Sequence, residues 1–327
     1  MPLLLTESDV RAVLPMADLI ETMERVLSQF SAGEVDQPVR TVMEVGASTS
    51  FFGVMPARMT DPAALGTKLV GVFPGNLAHG VATHQATIVL VDPESGVLRA
   101  VLDGRYITEV RTAAVSAVSV RHLARDLGPV TVGLLGSGVQ AGAHLTALRH
   151  VCRLESVRVW SPNPSHRRRF ADEQQAEDRV GVQAVDSPET AIRRAGLVVL
   201  TTSATEPVVE DAWVGDGVHV VSVGACRPDH REMAPELVAR GTLFVDSRAA
   251  ALVESGDVVQ GIAAGLFGPD QIRAELGEVV RGQAAGRSTS GEVTIFKSLG
   301  LAVEDIAAAH IAYTRAVEQG LGTQVEI

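Results

Sequence analysis

Aromatic side chains are scarce: eight Phe, two Trp and two Tyr account for only 4% of the 327 residues. A surface that binds nucleic acid by base stacking needs a series of exposed rings, and this composition argues against one. Basic residues are outnumbered too, 28 Lys and Arg against 39 Asp and Glu, for a formal charge of −11. That balance opposes bulk attraction to nucleic acid or anionic lipid, while leaving room for one cationic pocket around a small anionic ligand. The two cysteines, Cys152 and Cys226, form no Cys-x-x-Cys spacing, so neither a disulfide framework nor a zinc site is expected. No run reaches the roughly 18 apolar residues of a membrane span. The start, Met1-Pro-Leu-Leu-Leu, lacks the basic residues and apolar length of a secretory signal. The expectation is no membrane association and a reducing, cytoplasmic setting.

What is present points to a large packed core. Hydrophobic residues make up 46% of the chain, and the length suits roughly two domains of about 150 residues each. Residues 6–33 read as helix, with Thr6 and Asp9 as a capping signal, Pro15 opening a second segment and Gly33 ending it. From Val39 to Val101 the pattern turns to strands broken by Gly and Pro, with a hairpin around Asp92-Pro-Glu-Ser-Gly96. This first region reads as an α+β domain with antiparallel pairing. Residues 108–125 read as a buried helix. After Pro129, short apolar strands alternate with helical stretches (130–135, 139–150, 157–160, 165–177, 182–185, 188–195, 197–201), and strands at 218–223 and 243–245 follow. Such alternation predicts crossover units and a doubly wound, Rossmann-type parallel sheet. A last helix spans 303–318, and no Ser/Gly-rich linker separates the two regions near 120–129.

The strand 130–135 runs into Gly136-x-Gly138-x-x-Ala141, and a helix leaves it with Val139 and Gln140 in its first turn. In that context the pattern is a dinucleotide-binding turn. Gly136 permits the sharp bend, Gly138 lets a pyrophosphate approach the backbone, and Ala141 still allows close helix–strand packing. The pyrophosphate would rest on the N–H groups at the helix start. Thr202 and Ser203, and then Val223 and Gly224, follow later parallel strands, where open α/β sheets bind ligands. An NAD-specific site places an acid about 20 residues after the glycines. Here the strand ends in Ser161-Pro-Asn163, so Ser161, Asn163, Arg167 and Arg168 are candidates to hold a 2′-phosphate. The run Arg167–Arg169 reads equally as a solvated helix face. NADPH is the expected cofactor, with NADH the alternative.

An ordered series of further segments is more specific than the glycine turn. It includes Gln37-Pro-Val-Arg-Thr41, Gly53-Val-Met-Pro56, Thr67-Lys-Leu-Val70, His84-Gln-Ala-Thr87 and Arg111-Thr-Ala-Ala114. It continues through Val223-Gly-Ala-Cys-Arg-Pro228, Glu254-Ser-Gly-Asp257 and Phe296-Lys-Ser-Leu-Gly300. On these segments the chain resembles the ornithine cyclodeaminase/mu-crystallin family over nearly its whole length, and within it the ketimine reductases. The resemblance implies a homodimer joined through the N-terminal region, which also forms part of the substrate pocket. It returns the C-terminal helix to that region, giving a substrate-binding and dimerisation domain of residues 1–121 with 300–327. Residues 122–299 then form the Rossmann domain.

The resemblance also assigns roles. Arg40 and Lys68 would hold a substrate carboxylate, with Arg111 near both substrate and cofactor. The chemistry is sound, because an Arg fork binds a planar carboxylate bidentately. Lys68 could add charge, or give a proton to an imine nitrogen if its pKa is lowered. Thr83, His84 and Gln85 would touch the nicotinamide side, while Glu254 and Ser298 match ligand-proximal positions. Read without the family, Glu254 is a solvated helix end and Ser298 a helix cap. Cyclodeaminases carry an Asp in the loop matching Gly224–Pro228. Cys226 stands in its place here, on the substrate side, and a thiol supplies no standing charge to an ammonium. Asp229 is close by in sequence.

These readings predict an NAD(P)H-dependent oxidoreductase acting on a carboxylate-bearing, cyclic imine to give an L-amino or imino acid such as pipecolate or proline. Alternatives are an ornithine cyclodeaminase or alanine-type dehydrogenase on the same fold, or a non-catalytic, NADPH-dependent binder of small molecules.

Overall fold

The computed structural model describes residues 1–46, 50–125, 128–177 and 180–326. The elements begin β1 (Leu3–Leu5), α1 (Glu7–Val13), α2 (Met16–Ser31), β2 (Val35–Asp36), β3 (Thr41–Glu44), β4 (Phe51–Thr60), β5 (Ala63–Val72), β6 (His84–Val91), β7 (Leu98–Asp103) and α3 (Gly104–Leu123). Next come β8 (Val130–Leu135), α4 (Val139–Leu148), β9 (Leu154–Trp160), α5 (Pro164–Glu177), β10 (Gly181–Ala184), α6 (Pro188–Ile192), β11 (Leu197–Leu200) and β12 (His219–Ser222). The remainder comprises α7 (Pro235–Arg240), β13 (Thr242–Val245), α8 (Arg248–Glu254), α9 (Gly256–Ala263), β14 (Ile272–Glu275), α10 (Leu276–Val280), β15 (Thr294–Lys297), α11 (Ala302–Gln319) and β16 (Thr323–Gln324).

Two compact units partition the chain, Met1–Arg111 with Gly300–Ile327, and Thr112–Leu299. The division falls within α3 rather than near its C-terminal end. The helix's second half is tied into the second unit: Ser116 Oγ lies 2.9 Å from His144 Nε2, and Ser119 Oγ lies 3.2 Å from His219 Nε2.

The first unit is a mixed sheet in the order β16-β1-β7-β6-β5-β4-β2, with β3 on β4. Pairing is antiparallel except for β1 on β7. Its helices start where local chemistry dictates. Thr6 Oγ1 accepts from the Asp9 N–H while Asp9 Oδ2 accepts from the Thr6 N–H, a reciprocal cap for α1. Pro15 precedes α2, whose Leu19, Ile20, Met23, Val26 and Leu27 form one fully buried stripe. The β6–β7 hairpin turns at Asp92, whose Oδ1 accepts from the Glu94 and Ser95 N–H groups.

The second unit is a wholly parallel sheet in the order β10-β9-β8-β11-β12-β15-β13-β14. From β8 the chain winds outward through β9 and β10, then returns to the other side of β8 at β11. That reversal makes the carboxyl edge between β8 and β11 the place where such sheets receive a ligand. Strands β11, β12 and β15 are buried at every position, as a sheet covered on both faces requires.

Phe296 is fully buried in β15, hydrogen-bonded between β12 and β13. Phe296→Ala should destabilise the protein by about 3–5 kcal/mol through lost burial and the cavity left behind. Denaturant unfolding checks this, and a loss under about 1 kcal/mol would contradict the packing described here.

Candidate active site

Lys68 occupies a position that the strand period assigns to the core: Ala64, Gly66, Lys68 and Val70 alternate inward along β5. Its side chain is 2% exposed, so its charge demands a partner. Asp305, in the first turn of α11, supplies it, with Oδ2 2.6 Å from Lys68 Nζ. Thr108 Oγ1 lies 3.4 Å from the same nitrogen. Arg111, from α3 and 5% exposed, donates through Nε to the other Asp305 oxygen at 3.0 Å and through Nη1 to Glu304 Oε2 at 2.7 Å. Arg40, half-buried just before β3, donates to the Gly300 carbonyl at 3.0 Å. Gly300 has φ +81°, and a Cβ there would sit 2.5 Å from Arg111 Nη1, so only glycine admits the guanidinium. All three expected cations thus gather around the start of α11.

The charges do not act as a bare triple cation. Asp305 pairs with Lys68 and Arg111, and Glu304 pairs with Arg111 as well, so carboxylates offset part of the cationic charge. Burial disfavours the Asp305 charge, but Arg111 and Lys68 outweigh it and hold the carboxyl below its ordinary range. Burial pulls the Lys68 ammonium down to about 8, with Asp305 resisting and Arg111 adding to the fall. His84, half-buried at the start of β6, is pushed down to about 4 by burial and by Lys68 and Arg111, so it is neutral at pH 7.

The second unit contains the dinucleotide turn. Gly136 has φ +114°, and a Cβ would meet Thr201 Oγ1 at 2.4 Å and Thr201 O at 2.6 Å. Glycine alone lets β8 bend there beside the end of β11. Gly138 is the N-cap of α4; no side chain caps the helix, and nothing lies within 4 Å of where its Cβ would be. Val139 next to it is 65% exposed, whereas Gln140 is half-buried and its carbonyl lies 2.7 Å from His144 Nδ1. This open, uncapped helix start fits a pyrophosphate. Among the described residues, no cluster of His, Cys, Asp or Glu could hold a metal ion.

Several expected ligands of the 2′-phosphate have local work. Asn163 Oδ1 accepts from the Ser165 N–H at 2.9 Å and from the Ser165 hydroxyl at 2.7 Å, at the start of α5. Arg167 is buried and donates to the Ser161 carbonyl at 3.0 Å and to Asp186 Oδ1 at 2.9 Å. It braces the loop after β9. Ser161 Oγ lies 2.8 Å from Ser137 Oγ, a residue of the glycine turn itself. Arg168 is exposed.

The remaining candidates divide between the two units. In the first, the Thr83 carbonyl accepts from the Phe73 N–H at 2.8 Å, and Gln85 Nε2 donates to the Ala82 carbonyl at 2.8 Å. In the second, Thr202 and exposed Ser203 follow β11, while Val223 and Gly224 follow β12. Cys226 Sγ donates to the Val223 carbonyl at 3.3 Å, and Glu254 closes α8. Ser298 is buried and donates to Asp246 Oδ2 at 3.2 Å, a structural tie rather than a group facing outward.

Sequence reasoning missed the carboxylates Glu304 and Asp305. A signal existed: two adjacent acids beside Ile306-Ala-Ala-Ala, on a helix whose neighbours are buried. It also missed the buried set Glu232, Asp257 and Lys297 in the second unit; Asp257 and Lys297 stand in the segments Glu254–Asp257 and Phe296–Gly300, whereas Glu232 has no distinctive local pattern.

Known proteins share this fold over nearly the whole chain. The family model described as "Ornithine cyclodeaminase/mu-crystallin family" matches residues 1–320. The chain is 43% identical to the ketimine reductase mu-crystallin of Rattus norvegicus over 298 residues, covering 90% of this chain and 91% of that one. It is 36% identical to a Delta(1)-pyrroline-2-carboxylate reductase of Bacillus cereus over 327 residues, 99% of each. Among solved structures, the Delta(1)-pyrroline-2-carboxylate reductase of Thermococcus litoralis, in complex with NADH and L-proline, superimposes with a TM-score of 0.96 at 37% identity, over 99% of this chain and 100% of that one. A match of this extent shows that the chain belongs to the ornithine cyclodeaminase/mu-crystallin family.

Proposed function

We propose that this protein is an NAD(P)H-dependent ketimine reductase, reducing the C=N bond of a carboxylate-bearing cyclic imine to an L-imino acid of the proline or pipecolate type. The observation that carries this reading is the gathering of Arg40, Lys68 and Arg111 at the start of α11, cations of the kind that hold a carboxylate. The ketimine and pyrroline-2-carboxylate reductases among its relatives support it.

Each residue's part follows from its surroundings. Arg40 is half-buried beside Gly300, whose carbonyl it meets at 3.0 Å, and a guanidinium is the group that takes a planar carboxylate bidentately. Lys68, titrating near 8, is protonated at pH 7 yet acidic enough to give its proton to an imine nitrogen. Asp305 orients that ammonium and compensates the charge of Arg111. The bound reduced nicotinamide supplies the hydride, so no covalent intermediate with the protein is required. His84, neutral at pH 7, acts as a hydrogen-bonding group and not as a charge.

The unit containing Gly136 and Gly138 binds the nucleotide, and the unit containing Lys68 binds substrate. Exposed Val39, Val42, Met43, Leu77 and Val81 in the latter support dimerisation through it. The end of β9 offers no carboxylate against a 2′-phosphate, which supports use of NADPH as well as NADH. Free thiols at Cys152 and Cys226 accord with a cytoplasmic site of action. Cys226 donates to a carbonyl and provides no carboxylate for a distal ammonium, which favours imine reduction over ornithine cyclisation.

Three outcomes are expected. Arg40→Ala should raise KM for Δ1-pyrroline-2-carboxylate about 10- to 100-fold, the weight of a charge-assisted contact, while the Kd of NADH is unchanged. Steady-state kinetics and fluorescence titration check this, and an unaltered KM would remove Arg40 from the site. kcat/KM for reduction should fall as pH rises through about 8, where Lys68 loses its proton. Lys68→Arg, which does not titrate there, should lack that limb; an identical profile would exclude Lys68 as donor. Both NADPH and NADH should be oxidised with the imine, and failure with NADPH would overturn the reading of the β9 end.

A further inference from the structure

Four hydrogen-bond donors converge on one carboxylate in the second unit. Glu232, fully buried, accepts at Oε1 from the Thr202 N–H and the Thr202 hydroxyl, both at 2.8 Å. At Oε2 it accepts from the Ser222 hydroxyl at 2.7 Å and the Gly224 N–H at 2.8 Å. The packing is close enough that a Cβ on Gly224 would sit 2.3 Å from Oε1 and 2.0 Å from the Thr202 carbonyl. Behind this group, Lys297 Nζ donates to Ser222 Oγ at 3.1 Å and pairs with Asp257 Oδ2 at 3.3 Å. Asp257 Oδ1 in turn accepts from the Glu232 and Met233 N–H groups at 2.9 and 3.0 Å.

Stability alone does not account for this arrangement. Two carboxylates and one ammonium are taken wholly out of water, and well-packed apolar residues of similar volume would hold such a core as well or better. The set does link two separate places: Thr202 leaves the carboxyl end of β11, and Gly224 leaves that of β12. Those ends lie past the chain reversal at β8, on the half of a doubly wound sheet opposite the pyrophosphate turn. In such a sheet each half receives one mononucleotide. We infer that Glu232 is a positioning residue for the nicotinamide half of the cofactor, clamping the Thr202 and Gly224 loops to one another in the binding conformation. Asp257 and Lys297 orient the clamp. The inference rests on the function proposed above.

Glu232→Gln tests it. A glutamine offers one oxygen and one NH2 group where the site presents two main-chain N–H donors, so either Thr202 or Gly224 must face another donor and move away. The adenine half, seated on α4 and the β9 end, gains nothing from the clamp. The full-length variant should therefore bind NADH about 10-fold or more weakly while 5′-AMP binds within about twofold of wild type. KM for NADH should rise with KM for the imine unchanged. In the cofactor-free protein, amide hydrogen exchange should quicken at residues 200–204 and 222–226. If E232Q does not fold, Ser222→Ala removes one of the four donors without changing charge, and should weaken NADH about threefold with 5′-AMP unaffected. Equal losses for NADH and 5′-AMP, or NADH binding within about twofold of wild type in E232Q, or in S222A should E232Q not fold, would overturn the clamp. Wild-type protein that binds NADH but reduces no imine would overturn the proposed reaction instead, leaving the clamp to be judged on binding.

Discussion

Asp305 is the interaction on which the first unit's chemistry depends. One carboxylate at the start of α11 meets Lys68 from β5 and Arg111 from α3, with an oxygen for each. Removing any member leaves an uncompensated charge where water cannot reach it, a loss of about 3–5 kcal/mol in comparable buried pairs. The same bond sets the charge state of Lys68. Burial lowers the Lys68 pKa and Asp305 opposes that, leaving it at about 8. Glu304 offsets part of the Arg111 charge as well.

The second unit solves a related problem with different partners. Its nucleotide edge is made of loops, and loops hold a shape only where something fixes them. Gly136 allows β8 to bend against Thr201 without a side chain in the way, and Gly224 allows a buried carboxylate to approach the main chain. Glu232 then collects N–H and O–H dipoles where Asp305 collects full charges. Asp305 lies far in sequence from the cations it holds, whereas the donors that converge on Glu232 come from 8 to 30 residues before it.

The elements themselves were largely legible. Strands broken by Gly and Pro marked the region of β4 to β7, capping and breaking residues marked α1 and α2, and the glycine turn appeared between β8 and α4 where the pattern put it. The parallel sheet followed from strands separated by helices, since a parallel pair needs a crossover. Short late elements such as α7, α9 and β14 were not legible, because their burial comes from neighbours and not from their own period. In the sequence, Asn163 and Arg167 read as candidate ligands from their place after a strand end. Only the folded chain shows Asn163 bonded to the next helix start and Arg167 to Asp186.

By itself the sequence determined an α/β chain with a nucleotide turn and, through ordered family segments, the cations Arg40, Lys68 and Arg111. These are matters of local pattern, and local pattern survives in one dimension. The tertiary structure decided which charges those cations keep, because Asp305 lies 194 residues from Arg111 and no spacing announces their meeting. It likewise decided that Glu232 ties together two strand ends, since convergence of donors on a point is a property of three dimensions.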